Sequence, residues 1–299
     1  MIKKTAVGIF LTYAVHVCFA QASVKSLQEE HIAKLLISTS EVRDLYPYNV
    51  NIGFFLTTAL GNLEYGPQGV LTYIHETMHV DDNTRNLSTD PKRYYRFNAS
   101  EFMTVDIRDG FFTSDNIFPL LPAYVRDSSM ASMTQTYLLC RNSCLSRIYG
   151  IYGLLEEFDA YSLEPSCLLN FHSFFDTCGY TNTTKFWAGY YNSKGNSWND
   201  FYYFNIFFAA YLKYADSHRK TFYDQLITDT AFKYAFSKIY HRFAESLIAL
   251  DRIDRETSPA MRNQANYPFA FQEALDNLKK LNDSDDTRKY IARLLVDLP

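Results

Sequence analysis

The stretch Gly69-Val70-Leu71-Thr72-Tyr73-Ile74-His75-Glu76-Thr77-Met78-His79 decides how the rest of the chain is read. It contains HExxH, two histidines four apart with a glutamate directly after the first. On a helix, residues four apart share a face, so both imidazoles can point at one metal ion. Glu76 lies beside them, placed to take a proton from water rather than to bind the metal. The chain has only 7 histidines, and a shuffled version would show the pattern by chance on the order of 1% of the time, so the match carries weight against a solvated helix face with two ordinary histidines.

Upstream, the N-terminus reads as a secretory signal, residues 1–22. Lys3 and Lys4 form a positive start, Ala6 to Ala20 is apolar, and Ala20-Gln21-Ala22 is an A-x-A cleavage site, which starts the mature chain near Ser23. The segment is short for a membrane anchor. The most apolar later run, Phe201 to Leu212, is shorter still and is interrupted by Asn205, so no stable membrane insertion is expected after cleavage. The protein is therefore expected to be exported, either periplasmic or secreted. Removing the leader takes away two lysines and no acid, leaving the mature chain two units more negative than the full chain's −4. That balance argues against nucleic acid as a partner. Residues 23–299 suit one domain, or two lobes of about 23–165 and 166–299.

Four cysteines remain: Cys140, Cys144, Cys167 and Cys178. An even count in an exported chain suggests two disulfides, with three pairings open. Their spacing does not match common zinc modules. A Cys140–Cys144 bridge needs a turn at Arg141-Asn142-Ser143, because side chains four apart on a regular helix point poorly for bonding.

The periodicity predicts a mainly α fold with a small β-hairpin or sheet portion. Ser26-Leu27-Gln28-Glu29 is a capping box for a first helix with Ile32, Leu35, Leu36 and Val42 on its apolar face. Val50 to Thr58 reads as a short strand. The HExxH helix runs from about Gln68 to Val80, broken by Asp81-Asp82-Asn83. Arg93 to Ile107 alternates enough for a small antiparallel hairpin, with a turn signal at Arg108-Asp109-Gly110. From Ser128 the pattern is helical until Glu164-Pro165 stops it. Thr181 to Asn199, rich in Asn, Thr, Gly and Ser, reads as a long loop. Helices follow at Phe201 to Tyr214, Thr221 to Leu250 (broken once), Pro268 to Leu281 and Asp286 to Leu298, with caps at Asp283-Ser284-Asp285.

A catalytic zinc takes three protein ligands and keeps one position open. The extension HExxHxxGxxH is absent, because Asp82 and Arg85 stand where it needs glycine and histidine. The other route is a glutamate on a second helix, and Leu154-Leu155-Glu156-Glu157-Phe158-Asp159-Ala160-Tyr161 offers one. Neighbouring helical residues diverge by about 100°, so only one of the two glutamates can face the metal. Glu157 is placed first, Glu156 is its rival, and Asp159 or Asp82 follow.

At these residues the sequence resembles the gluzincin class of zinc metallopeptidases, to which the thermolysin-like enzymes belong. Their ligand glutamate is followed by two residues, then a small residue and often an acid. The resemblance implies an α+β zincin-like fold whose active-site helix carries HExxH, with Zn2+ as cofactor. It implies His75, His79 and Glu157 as ligands, Glu76 as general base, and a peptide or protein substrate. It covers two short motifs, and departs from the thermolysin-like pattern at Tyr161, where those enzymes have aspartate, and in the 77 residues between His79 and Glu157. The alternative function is a catalytically silent zincin-like protein that binds a peptide, glycan or protein. Asp81, Asp82 and Asp159 are candidates to orient a histidine. His172, His218, His241, Tyr161, Tyr202 and Tyr203 are candidates to steady an oxyanion, none singled out. Oligomeric state is left open.

Overall fold

Two stretches of this chain are apolar around nearly the whole circumference of a helix, and such helices are stable only when surrounded by others. They form the centre of the molecule. The computed structural model describes residues 67–85, 91–97, 101–127, 132–140, 144–177, 184–256 and 269–298. The leader, the helix expected after Ser26 and the strand expected at Val50 to Thr58 lie outside the described residues. In chain order the elements are α1 (Gln68–Arg85), β1 (Lys92–Arg96), β2 (Phe102–Asp106), a 3₁₀ turn (Ser114–Leu120), α2 (Ala123–Asp127), α3 (Ser132–Tyr137), α4 (Leu145–Tyr149), α5 (Ile151–Thr177), α6 (Thr184–His218), α7 (Lys220–Thr228), α8 (Thr230–Glu256), α9 (Phe269–Asn282) and α10 (Asp285–Leu294). The fold is mainly helical with one small two-stranded antiparallel sheet.

Every residue from Ile151 to Ala160 of α5 is buried, as is every residue from Tyr190 to Leu212 of α6 except Asn192, Asn196 and Trp198. α5 packs against α8, α6, α4 and α1, while α9, α10 and α7 cover α6. The covering helices show the ordinary one-sided pattern: in α10, Thr287, Tyr290, Ile291 and Leu294 are buried. Phe158 is the hub. Its ring lies 5.3 Å from that of Phe243, 5.5 Å from Phe208 and 5.6 Å from Phe204, with Phe201 and Phe236 each at 6.2 Å. Aromatic rings at such separations add edge-to-face and offset attraction to the area they bury.

The hairpin pairs Lys92 with Asp106 through to Arg96 with Phe102. Arg108-Asp109-Gly110 does not join the strands but follows the second one, and Gly110 adopts φ +86° there. Between α4 and α5, Gly150 has φ +59°, and a Cβ on it would stand 2.3 Å from the Phe112 carbonyl oxygen. Only glycine fits that junction. The break expected in the Thr221 to Leu250 run falls at Asp229, whose side chain accepts from the Ala231 and Phe232 amides. Ser284 caps α10 by accepting from the Thr287 amide.

Several boundaries differ from expectation, among them the last helix, which ends at Leu294 rather than Leu298. α1 continues through Asp81-Asp82-Asn83 to Arg85, because acids and asparagine lower helix propensity only modestly once a face is packed. α5 passes through Pro165 and on to Thr177. The proline forgoes its bond to the Tyr161 carbonyl, a penalty of about 3 kcal/mol, which the burial of α5 on several sides offsets. The supposed loop at Thr181 to Asn199 is the N-terminal half of α6 from Thr184 onward. Its serines are satisfied by local and neighbouring partners: Ser193 donates to Gln68 Oε1 of α1 at 3.1 Å, and Ser197 donates within the helix to the Ser193 carbonyl. Cys140 and Cys144 lie between α3 and α4, with sulfurs at bonding distance and Cα atoms 6.1 Å apart. Cys167 is buried in α5, and Cys178 lies outside the described residues. Among the described residues no helix is long and apolar enough to cross a membrane.

Phe158→Ala should destabilise the protein by about 3–5 kcal/mol, whereas Phe102→Ala, at a 57% exposed position, should cost less than about 0.5 kcal/mol. Urea unfolding of the two variants checks the contrast; equal effects would remove Phe158 from the centre of the fold.

Candidate metal centre

α1 is held by Leu71, Ile74 and Met78, all buried, and this fixes its rotation about its own axis. His75 then turns inward, 6% exposed, and His79 lies one turn further on the same side. The facing helix is α5, and it brings Glu157. His79 Nε2 lies 3.1 Å from His75 Nε2 and 3.1 Å from Glu157 Oε2, and His75 Nε2 lies 3.7 Å from the same carboxylate oxygen. Three ligand atoms around a tetrahedral ion with bonds of about 2.0–2.1 Å stand about 3.3–3.4 Å from one another. The observed triangle brackets that value. Protons fill it poorly: a hydrogen on His79 Nε2 can serve one neighbour well, and the 3.7 Å edge lies beyond hydrogen-bond reach. The group could hold a metal ion.

Glu156, the rival, turns about 100° away. It forms a buried ion pair with Arg93 of β1, and its other oxygen lies 3.8 Å from His79 Nδ1. On the opposite side Glu164 Oε1 lies 3.7 Å from His75 Nδ1. Each outer histidine nitrogen thus has a carboxylate within 4 Å but no hydrogen bond to it; a small approach would give the contact that selects tautomer and ring orientation in metal-binding histidines. Asp159 turns a further step round and is held by Arg242 of α8, which also reaches Ser162 Oγ through Nε at 2.9 Å. It is thus withdrawn from the centre. The side chains of Asp81, Asp82 and His172 lie outside the described residues. His218 stacks on Tyr214 at the surface, and Tyr240 lies edge-on to His241.

Charge is concentrated here. Burial pushes the Glu157 carboxyl up, but the adjoining imidazoles of His75 and His79 more than reverse this and hold it at about 2. Burial raises Glu164, and it raises Asp200 of α6 with Glu164's charge adding to the effect. Burial also raises Asp159, against the pull of Arg242.

No protein-family model, curated protein or solved structure matches this chain. The site is therefore read from its own geometry.

A cavity of about 320 Å³ opens beside the cluster. α1 contributes Gln68, Thr72, His75 and the exposed Glu76; α3 contributes Tyr137; α5 contributes Tyr161 and Glu164. Asn199, Asp200 and Tyr203 of α6 complete its polar wall. The Tyr161 ring meets His75 edge-on, 4.3 Å between centroids, and its hydroxyl lies 2.5 Å from that of Tyr137. Burial pushes both phenols upward, so both stay protonated at neutral pH. Tyr202 sits outside this lining.

Sequence reasoning did not find Arg93, Tyr137, Glu164, Asn199 or Asp200. A signal existed for some of them. Glu157, Tyr161 and Glu164 stand at i, i+4 and i+7, and Asn196, Asn199, Asp200 and Tyr203 at i, i+3, i+4 and i+7, each a single helical stripe. A helix stop assumed at Pro165 and a loop assumed at Thr181 to Asn199 hid both.

Glu157→Gln should weaken zinc binding by at least about 100-fold, and Glu156→Gln by about 10–100-fold through loss of its hold on His79. Competition with a chromogenic chelator measures both; a larger loss for Glu156→Gln would reverse the two assignments.

Proposed function

We propose that the protein is an exported zinc-dependent hydrolase, most simply a peptidase of gluzincin type. The observation that carries this reading is the convergence of His75 Nε2, His79 Nε2 and Glu157 Oε2 at tetrahedral-edge spacing, beside a cavity lined by His75 and Glu76. Two imidazoles and one carboxylate, with their outer nitrogens facing carboxylates, suit zinc. Zinc bound there supplies Lewis acidity, making a water molecule easier to deprotonate and an amide carbonyl more electrophilic.

The chain's own groups do the rest. Glu76 lies on the cavity side of α1 and is solvent-accessible, so its carboxylate can take a proton from the attacking water and pass it to the leaving amine. Glu164 and Glu156 are placed to orient His75 and His79. Of the two hydroxyl hydrogens on Tyr137 and Tyr161, one is used between them and the other is available to an oxyanion in the cavity. Phenols held protonated by burial are suited to that donation. The Cys140–Cys144 pair and the leader-like N-terminus together support an oxidising compartment outside the cytoplasm.

Glu76→Gln should retain bound zinc and the fold while lowering peptide hydrolysis by about 10²–10⁴-fold or more. Metal analysis and digestion of a broad peptide library, run on the same preparations, check this. Undiminished cleavage by Glu76→Gln would sink the mechanism. Stoichiometric zinc with no cleavage by the wild type would favour the alternative, a zincin-like protein that binds a partner without catalysis.

A further inference from the structure

One wall of the cavity beside the histidine cluster carries two carboxyl groups and an amide. Glu164 is 4% exposed, Asp200 is 6% exposed and Asn199 is 4% exposed, and all three line the same space. Asn199 Oδ1 is buried without a hydrogen-bond partner among the described residues. The nearby cations are committed elsewhere: Arg93 to Glu156, Arg242 to Asp159, and Lys194 to Asp251 at 2.6 Å. Among the described residues neither Asp200 nor Glu164 has a lysine or arginine partner, and Glu164 lies 3.7 Å from the imidazole of His75. Burial without a counter-charge disfavours the ionised form of both carboxyl groups, and a cation seated against them would restore it. An orphaned amide oxygen beside them carries a cost of its own. Such walls are stable when something positively charged and rich in N–H groups comes to sit against them.

We infer that Glu164, Asp200 and Asn199 form a subsite for a cationic nitrogen group of the substrate, an ammonium or a guanidinium. The word substrate rests on the peptidase reading above; the subsite itself does not. An organic cation fits better than a second metal ion, because the convergence of ligand atoms seen at His75, His79 and Glu157 is not repeated here among the described residues. A space of about 320 Å³ lies at the small end of ligand pockets, enough for a residue or two of an extended peptide. Because Glu76 and His75 line the same space, a cation seated on this wall would place its neighbouring amide bond at the candidate centre. The same chemistry could come from a peptide's free N-terminus or from a lysine or arginine side chain.

Three probes separate these sources without requiring turnover. Norleucinamide carries only the α-ammonium, N-acetyl-lysinamide only the side-chain ammonium, and N-acetyl-norleucinamide neither. Calorimetric titration into the zinc-loaded full chain should show at least one charged probe binding about tenfold or more tightly than the neutral one, the scale of one charge-assisted hydrogen bond. The probe that gains identifies the source. Asp200→Asn should erase the difference while keeping the zinc content and the unfolding midpoint near those of the wild type. If that variant does not fold, Asn199→Ala should weaken the charged probe selectively by several-fold. Equal binding of all three probes, a preference that survives in the folded Asp200→Asn protein, or loss of a second zinc equivalent in that variant would each overturn the subsite. Charge preference without hydrolysis would leave the subsite standing and remove the peptidase reading; hydrolysis without charge preference would do the reverse.

Discussion

The rotation of α5 about its own axis is the constraint on which the rest depends. Four consecutive residues leave that helix in four directions about 100° apart. Glu156 meets Arg93 on the hairpin, Glu157 meets the histidines of α1, Phe158 enters the aromatic cluster, and Asp159 meets Arg242 of α8. None of the four faces water. A slip of one residue would drive a carboxylate into the phenylalanines and pull the hub ring into the ion pairs, so the packing of Phe158 selects which glutamate reaches the histidines. The site inherits its geometry from the hydrophobic core.

Electrostatics then explains why so polar a site can be built at the edge of an aromatic interior. Glu156, Glu157, Asp159 and Glu164 are all buried on one helix, and Asp200 is buried opposite. Arginines answer two of these acids, and two histidines answer a third. The small hairpin earns its place in this balance, since its inner strand delivers Arg93, which also lies 4.1 Å over the Tyr149 ring. The remaining negative charge is what a cation at the histidine cluster, and a second at the α6 wall, would neutralise.

The parts of this molecule legible in the sequence were those with one-sided patterns. The covering helices alternate buried and exposed residues, and the break at Asp229 and the cap at Ser284 are local signals that needed no tertiary information. HExxH announced His75, Glu76 and His79 because the chemistry demands a fixed spacing. The choice of Glu157 over Glu156 rests on helix rotation, which a run as uniformly apolar as Leu154-Leu155 cannot reveal. Pro165 and the Asn- and Ser-rich half of α6 misled for one shared reason: local propensity is worth about 1–3 kcal/mol per residue at most, and burial of a whole helix face outweighs it.

α6 is divided along its length. From Phe201 to Leu212 it is core, while the turns before, Ser193 to Asp200, carry small polar groups toward the cavity and α1. The His75, His79 and Glu157 cluster, by contrast, lies on α1 and α5, whose buried faces pack the core. One wall of the cavity can therefore be rewritten, by changes at Asn196, Asn199 or Asp200, with little demand on the aromatic interior, whereas the opposite wall tolerates almost none. The shape of the cavity is thus adjustable on its α6 side, while the geometry of α1 and α5 is tied to the core.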